Sequence, residues 1–199
     1  KKEHPRPDVV LATGDLAQDG HVLSYQCFRQ KLDFFACPVY WYTGNHDNRE
    51  AMKSASKGSV ALEKRVVTPH WQLIFLDTLV PGKVYGELAQ FELDFLEDAL
   101  EEYPDLYTLV CFHHHPIDIG SIWLDNIGLK NRDALFAILD RHSQVKGVLW
   151  GHIHQEIDSL RKGVRMLATP STCVQFLPKS DDFAIDTAAP GYRWLTLKA

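Results

Sequence analysis

The sequence has no apolar run approaching the roughly 20 residues that a bilayer span needs, so no membrane partner is expected. It also has no long basic block. Its 21 Lys and Arg against 26 Asp and Glu leave a formal charge of -5, which argues against a nucleic-acid partner held through its phosphates. Paired cysteines are missing too. Cys27, Cys37, Cys111 and Cys173 show no CxxC spacing and three lie in apolar stretches, so buried, reduced thiols in a cytoplasmic protein are expected. No repeat, low-complexity tract or linker appears, and no signal peptide opens the chain. The opening KKEHPRPDVVLATGD instead reads like the interior of a domain, so the true N-terminus is expected upstream.

What is present is an alternation of strand-length apolar runs with segments of helical period. Asp8–Thr13 reads as a buried strand, and His21–Phe34 carries helical spacing at Val22, Tyr25, Phe28 and Leu32. Val39–Thr43 is a second strand and Asn48–Ser56 a short helix, while Val66–Thr68 and Trp71–Asp77 read as neighbouring strands. Gln90–Glu102 is an acidic amphipathic helix closed by Pro104. Leu106–Phe112 and Lys146–Trp150 are further buried strands, with a helix over Asn131–Arg141 between them. Beyond these, Gln155–Leu160, Val164–Thr169 and Tyr192–Lys198 read as β. The class is α/β in one domain over residues 1–199, with a β-rich final third.

The chemistry-bearing residues fall just after strands. Gly14-Asp15 follows the first, Gly44-Asn45-His46-Asp47 the second, His113-His114-His115-Pro116 the strand ending at Phe112, and Gly151-His152-Ile153-His154 the strand ending at Trp150. Open α/β sheets place their sites at these strand ends. Glycine before three of the clusters lets the chain turn tightly. If the last strand stays extended, His152 and His154, two residues apart, aim at one point.

Each piece has an ordinary explanation alone: Asp15 a turn aspartate, GNHD a polar turn, the triple histidine an exposed run. Together they account for six of ten histidines in three strand-end clusters, which a solvated surface does not anticipate. His4, His21, His70 and His142 lack such a setting and read as surface. A carboxylate, a carboxamide oxygen and imidazoles without thiolate suit Mn, Fe, Zn or Co. Two such cations about 4 Å apart would polarise a phosphoryl group and activate a water.

The ordered set GD, GNHD, HHHP and GHIH resembles the calcineurin-like metallophosphoesterases. The stretches VLATGDLAQDG, SIWLDNIGLKN, VLWGHIHQEID and RMLATPSTCVQFLPKSDDFAIDTAAPGYR are similar to the bacterial class III 3′,5′-cyclic AMP phosphodiesterases, over essentially the whole chain. That resemblance implies a four-layer αββα sandwich carrying a dinuclear centre, iron or manganese first, zinc or cobalt otherwise. It implies that Asp15 bridges both metals, that Asn45 and His152 bind the second and that His154 binds the first. The family's remaining histidine lies two places before the proline, which selects His114, with His113 the alternative. His46 is implied to bind no metal but to stabilise charge beside the phosphate and protonate the leaving alkoxide. Asp15, Asn45, His46 and His154 would then contact a small-molecule cyclic nucleotide, attacked by metal-bound hydroxide to give 5′-AMP. The alternatives are another phosphodiesterase or phosphomonoesterase of the same fold, or a metal-free binding module.

One motif of the family is missing. Its DxH, on a strand before GD, supplies two ligands to the first metal. Asp19-Gly20-His21 and Asp140-Arg141-His142 share the spelling, but neither follows a strand and both lie after Asp15. The expectation is a fragment lacking its first strand and its C-terminal end, with the first metal site incomplete and activity impaired.

Overall fold

The computed structural model describes residues 5–198. A small parallel sheet pairs β1 (Val10–Ala12) with β2 (Val39–Trp41). A six-stranded mixed sheet runs in the order β3 (Arg65–Val67), β4 (Trp71–Phe75), β5 (Tyr107–Cys111), β6 (Val145–Trp150), β8 (Val164–Ala168), β7 (Ile157–Arg161). Its four central strands are parallel, and the outer two are antiparallel to their neighbours.

Period-two alternation in these strands sorts the side chains into separate cores. Tyr40, Tyr42, Leu73, Phe75, Leu109, Cys111, Leu149 and Leu167 meet between the two sheets. Their neighbours Ile74, Val110, Val148 and Met166 face the opposite side. There they pack on Leu93, Leu96 and Leu100 of α3 (Gln90–Glu102) and on Leu135 and Leu139 of α5 (Arg132–Leu139). Trp41, between Tyr40 and Tyr42, turns outward against Tyr25 of α1 (Val22–Leu32) and Met52 of α2 (Arg49–Ala55). Helix, sheet, sheet, helix is the αββα order expected. Each fully buried side chain of this size contributes roughly 1.5–3 kcal/mol, so each layer is held by many small terms.

The helices begin where local chemistry permits. The His21 ring accepts from Leu23 N at the start of α1, and Asn48 Oδ1 accepts from Ala51 N at the start of α2. Asp19 also accepts from His21 N and from Ser24 Oγ, so the first DxH spelling is a helix-start device. In the second, Asp140 holds Arg161 and Lys162 on the surface.

Two expectations need correction. Tyr192–Lys198 joins no ladder among the described residues. Leu195 packs on the inter-sheet core and the Trp71 indole donates to Lys198 O, so the apolar pattern reports docking by side chains and not strand pairing. Of the cysteines only Cys111 is buried, because Cys27 and Cys173 sit on the solvent side of their segments; all four are free thiols. A short helix, α4 (Ile122–Asp125), interrupts a stretch too brief to show helical period. His21 and His70 are exposed and His142 half-buried, while His4 lies outside the described residues.

Candidate metal centre

The loops after β1, β2, β5 and β6 meet at one end of the sandwich. Their approach is so close that the glycines of these loops are needed for space. A Cβ on Gly44 would stand 2.1 Å from Asp15 Oδ1 and 2.4 Å from Asp15 N. A Cβ on Gly151 would stand 2.7 Å from Thr13 O. Only Gly14, at φ 86°, also needs its torsional freedom.

The chain after β6 does not stay extended. His152 and His154 both have positive φ, 62° and 49°, as does Asp15 at 53°. The extended-strand reason for their convergence is therefore wrong: a strained turn, not strand alternation, aims them. Half of the described non-glycine residues with positive φ belong to this one site. Such strain persists only where the surroundings over-determine it, and it concentrates at functional centres.

Four imidazoles crowd here. His113, His114 and His115 are all buried, so an exposed histidine run is excluded. Ligating atoms of His113, His114 and His152 lie within 4.8 Å of one another. The three rings differ in what already holds them. His113 Nδ1 lies 2.7 Å from the Thr13 carbonyl and must donate to it, while its Nε2 faces Asp15 Oδ2 at 3.1 Å and His152 Nδ1 at 3.2 Å. His114 Nδ1 is fixed 2.7 Å from the Thr78 hydroxyl, which leaves Nε2 buried and without a partner. His115 stacks on His152 with ring centroids 5.7 Å apart.

Burial depresses the pKa of His114 and His152, and neighbouring imidazoles push the same way, so both rings are neutral donors at pH 7. His154 is also lowered by burial, although Asp15 opposes that shift. Burial drives His115 down to about 4. For His113 burial acts downward, but Asp15 opposite, the Thr13 carbonyl and Asp47 together outweigh it and the net shift is upward. Burial works against ionisation of Asp15, yet His113 and the His46 N–H hold it well below the ordinary carboxylate range.

Sequence reasoning missed the residue that fastens these loops together. Asp47 is buried and accepts from Leu16 N at 3.0 Å, Ala17 N at 3.2 Å, Gly44 N at 2.9 Å and the Tyr25 hydroxyl at 2.9 Å. It thereby ties the loop carrying Asp15 to the loop carrying Asn45. Burial raises its pKa, an effect these donors only partly offset. The signal lay in GNHD itself, whose final aspartate is suited to accept loop N–H groups. Thr78, Thr13 and Gln18, whose amide lies 3.0 Å from His46 Nδ1, carry no such sequence signal.

Asn45 Oδ1, His114 Nε2, His152 Nε2 and His154 Nδ1 are buried with no hydrogen-bond partner. Four orphaned donor atoms at one end of the fold would each cost about 1–3 kcal/mol if nothing engaged them. Lone pairs on one carboxamide oxygen and three imidazole nitrogens beside an ionised carboxylate fit divalent cations. His46 is set apart: its side chain is exposed and its N–H donates to Asp15 Oδ1 at 2.9 Å.

Comparison with known proteins places the chain among its relatives. The family model for calcineurin-like phosphoesterases matches residues 1–156. The chain is similar to the 3′,5′-cyclic adenosine monophosphate phosphodiesterase CpdA of Pseudomonas aeruginosa, 50% identical over 98% of this chain and 72% of that protein. It is 45% identical to the CpdA of Escherichia coli K12, over 96% of this chain and 70% of that one. Among solved structures, a dimetal phosphatase from Danio rerio superimposes with a TM-score of 0.66 at 16% identity, over 83% of this chain and 73% of that one, a likeness of fold.

Proposed function

The chain belongs to the calcineurin-like phosphoesterase family, and from that membership we propose that it hydrolyses 3′,5′-cyclic AMP to 5′-AMP in the cytoplasm, at a centre of two divalent cations. The observation that carries the reading is the set of buried, unpartnered donor atoms beside Asp15. Asp15 would contact both cations. Asn45, His114 and His152 would hold the second, and His154 the first with Asp15. His114 is preferred over His113 because its Nε2 is free, whereas His113 Nε2 is engaged by Asp15 and His152. Iron or manganese suits this nitrogen and oxygen set, with zinc or cobalt as substitutes. When bound, the cations supply Lewis-acid polarisation of the phosphoryl group and lower the pKa of water.

The chain's own residues supply the rest. Thr78 turns the His114 ring so that Nε2 faces inward, and the Thr13 carbonyl does the same for His113. The His46 backbone is tied to Asp15, which keeps its ring at the open side of the centre, where Gln18 steadies it. As the bond from phosphorus to O3′ breaks, the leaving oxygen takes a proton from His46, water supplies the new oxygen on phosphorus, and the proton that water sheds restores His46. Asp15, Asn45, His46 and His154 are the residues that meet the cyclic phosphate. The test offers cyclic AMP, cyclic GMP and p-nitrophenyl phosphate to protein loaded with Mn(II) or Fe(II). Preferential, chelator-sensitive conversion of cyclic AMP is the expected result. Faster turnover of p-nitrophenyl phosphate would make this a phosphomonoesterase, and failure to take up metal would make it a binding module.

A further inference from the structure

The metal ligands recognise phosphate and leave the organic group unread, and one feature beside them has the chemistry to read it. Phe176 stacks flat on His154, with centroids 4.2 Å apart and planes within 6°. The Phe176 N–H also donates to His154 O at 3.3 Å. Trp123, from the distant segment SIWLDNIGLKN, packs edge-on against both Phe176 and Phe183, at 5.1 and 5.5 Å. Phe176 and Phe183 are themselves in edge contact at 5.6 Å. The segment holding the phenylalanines folds back on itself, with Leu177 N donating to Ala184 O and Phe176 bridging to Ile185. The Ser121 hydroxyl ties the two segments by donating to Ser180 O. This aromatic wall is therefore braced from three sides and attached directly to a residue of the metal centre.

The wall ends in exposed apolar surface that its own packing does not explain. Phe183 is 63% exposed and Ile185 59%, although both lie within a braced segment. A large exposed ring, propped at its edge by two others beside a phosphate site, can serve as a stacking platform, because a π-face binds any planar heterocycle at little conformational cost. Two ring contacts of 4.2 and 5.6 Å separate His154 from Phe183, a span that a ribose and one heterocyclic ring can bridge. We propose that Phe183, propped by Trp123 and Phe176, stacks on the purine base of the cyclic nucleotide and so determines which phosphodiesters this centre accepts. The inference rests on the cyclic-nucleotide reading of the site. It assigns the base-recognition role to two segments that carry no metal ligand.

The test compares Phe183→Ala and Phe183→Trp with the parent protein on two substrates, cyclic AMP and methyl p-nitrophenyl phosphate, which has no base. Binding of 5′-AMP is followed in parallel by calorimetry. Removing the ring should raise KM for cyclic AMP and the Kd of 5′-AMP about tenfold, with kcat for cyclic AMP changed far less. The ratio of kcat/KM for cyclic AMP to that for methyl p-nitrophenyl phosphate should fall by a similar factor. Phe183→Trp should restore both. An unchanged ratio with unchanged 5′-AMP affinity would overturn the base platform while leaving the phosphodiesterase reading in place. Equal losses on both substrates would show a structural role for Phe183 and overturn the proposal too. If the parent protein turns over the base-free diester but not cyclic AMP, the functional reading itself fails.

Discussion

Replacing Asp47 by alanine removes the acceptor that four donors share. Leu16 N, Ala17 N, Gly44 N and the Tyr25 hydroxyl lie 2.9–3.2 Å from its carboxylate, and Tyr25 and Ala17 are buried. A donor left buried and unsatisfied costs about 1–3 kcal/mol, so four at the lower limit would cost about 4 kcal/mol. Two effects reduce that figure: water can enter the vacated space, and the variant no longer pays to bury a carboxylate whose pKa burial has raised. The net expectation is a loss of about 3 kcal/mol. In a domain of this size that lowers Tm by roughly 6–12 °C. Urea unfolding followed by tryptophan fluorescence measures the loss, and metal affinity should fall with it because Asp47 joins the Asp15 and Asn45 loops. Asp47→Asn keeps one acceptor oxygen and should lose less. A loss under about 1 kcal/mol for Asp47→Ala would refute the claim that this side chain fastens the two loops.

Other perturbations test separate parts of the account. Gly44→Ala drives a methyl into Asp15 and should abolish tight metal binding while destabilising the fold by about 1–3 kcal/mol; normal metal content by elemental analysis would show that the loops need not approach so closely. His46→Ala should lower kcat by about a hundredfold or more with metal content near that of the parent, whereas His152→Ala should lose metal and activity together; equal metal loss in both would erase the distinction between proton donor and ligand. In thiol labelling of the native protein, exposed Cys27 and Cys173 should react promptly, and Cys111, whose thiol burial pushes up, only after unfolding. Rapid modification of Cys111 in folded protein would mean that the inter-sheet core opens.

Much of the fold was legible because strands covered on both faces are continuous apolar runs, and those of Leu106–Phe112 and Lys146–Trp150 announce themselves. The layer each side chain enters follows from alternation alone, as Leu109 and Val110 show by facing different cores. The site was legible where glycine punctuates it, at GD, GNHD and GHIH. Other features were not. Three consecutive histidines share one sequence environment, and only the Thr13 carbonyl and the Thr78 hydroxyl, far away in the chain, decide what each ring can do. The positive φ of His152 and His154 belongs to a turn that packing enforces against residue preference. Trp123 meets Phe176 across a sequence gap that no periodicity spans. Leu195 shows the reverse case, an apolar segment at the edge of a core that satisfies the pattern of a strand and pairs with none.

The most direct test of the central claim is phosphorus NMR of cyclic AMP incubated with metal-loaded protein, beside a chelated sample and the His152→Ala variant at matched concentration. A single product, 5′-AMP, is expected in the metal-loaded sample, and unchanged cyclic AMP in the other two. Conversion that survives both chelation and loss of His152, or no conversion in protein shown to hold metal, would contradict it.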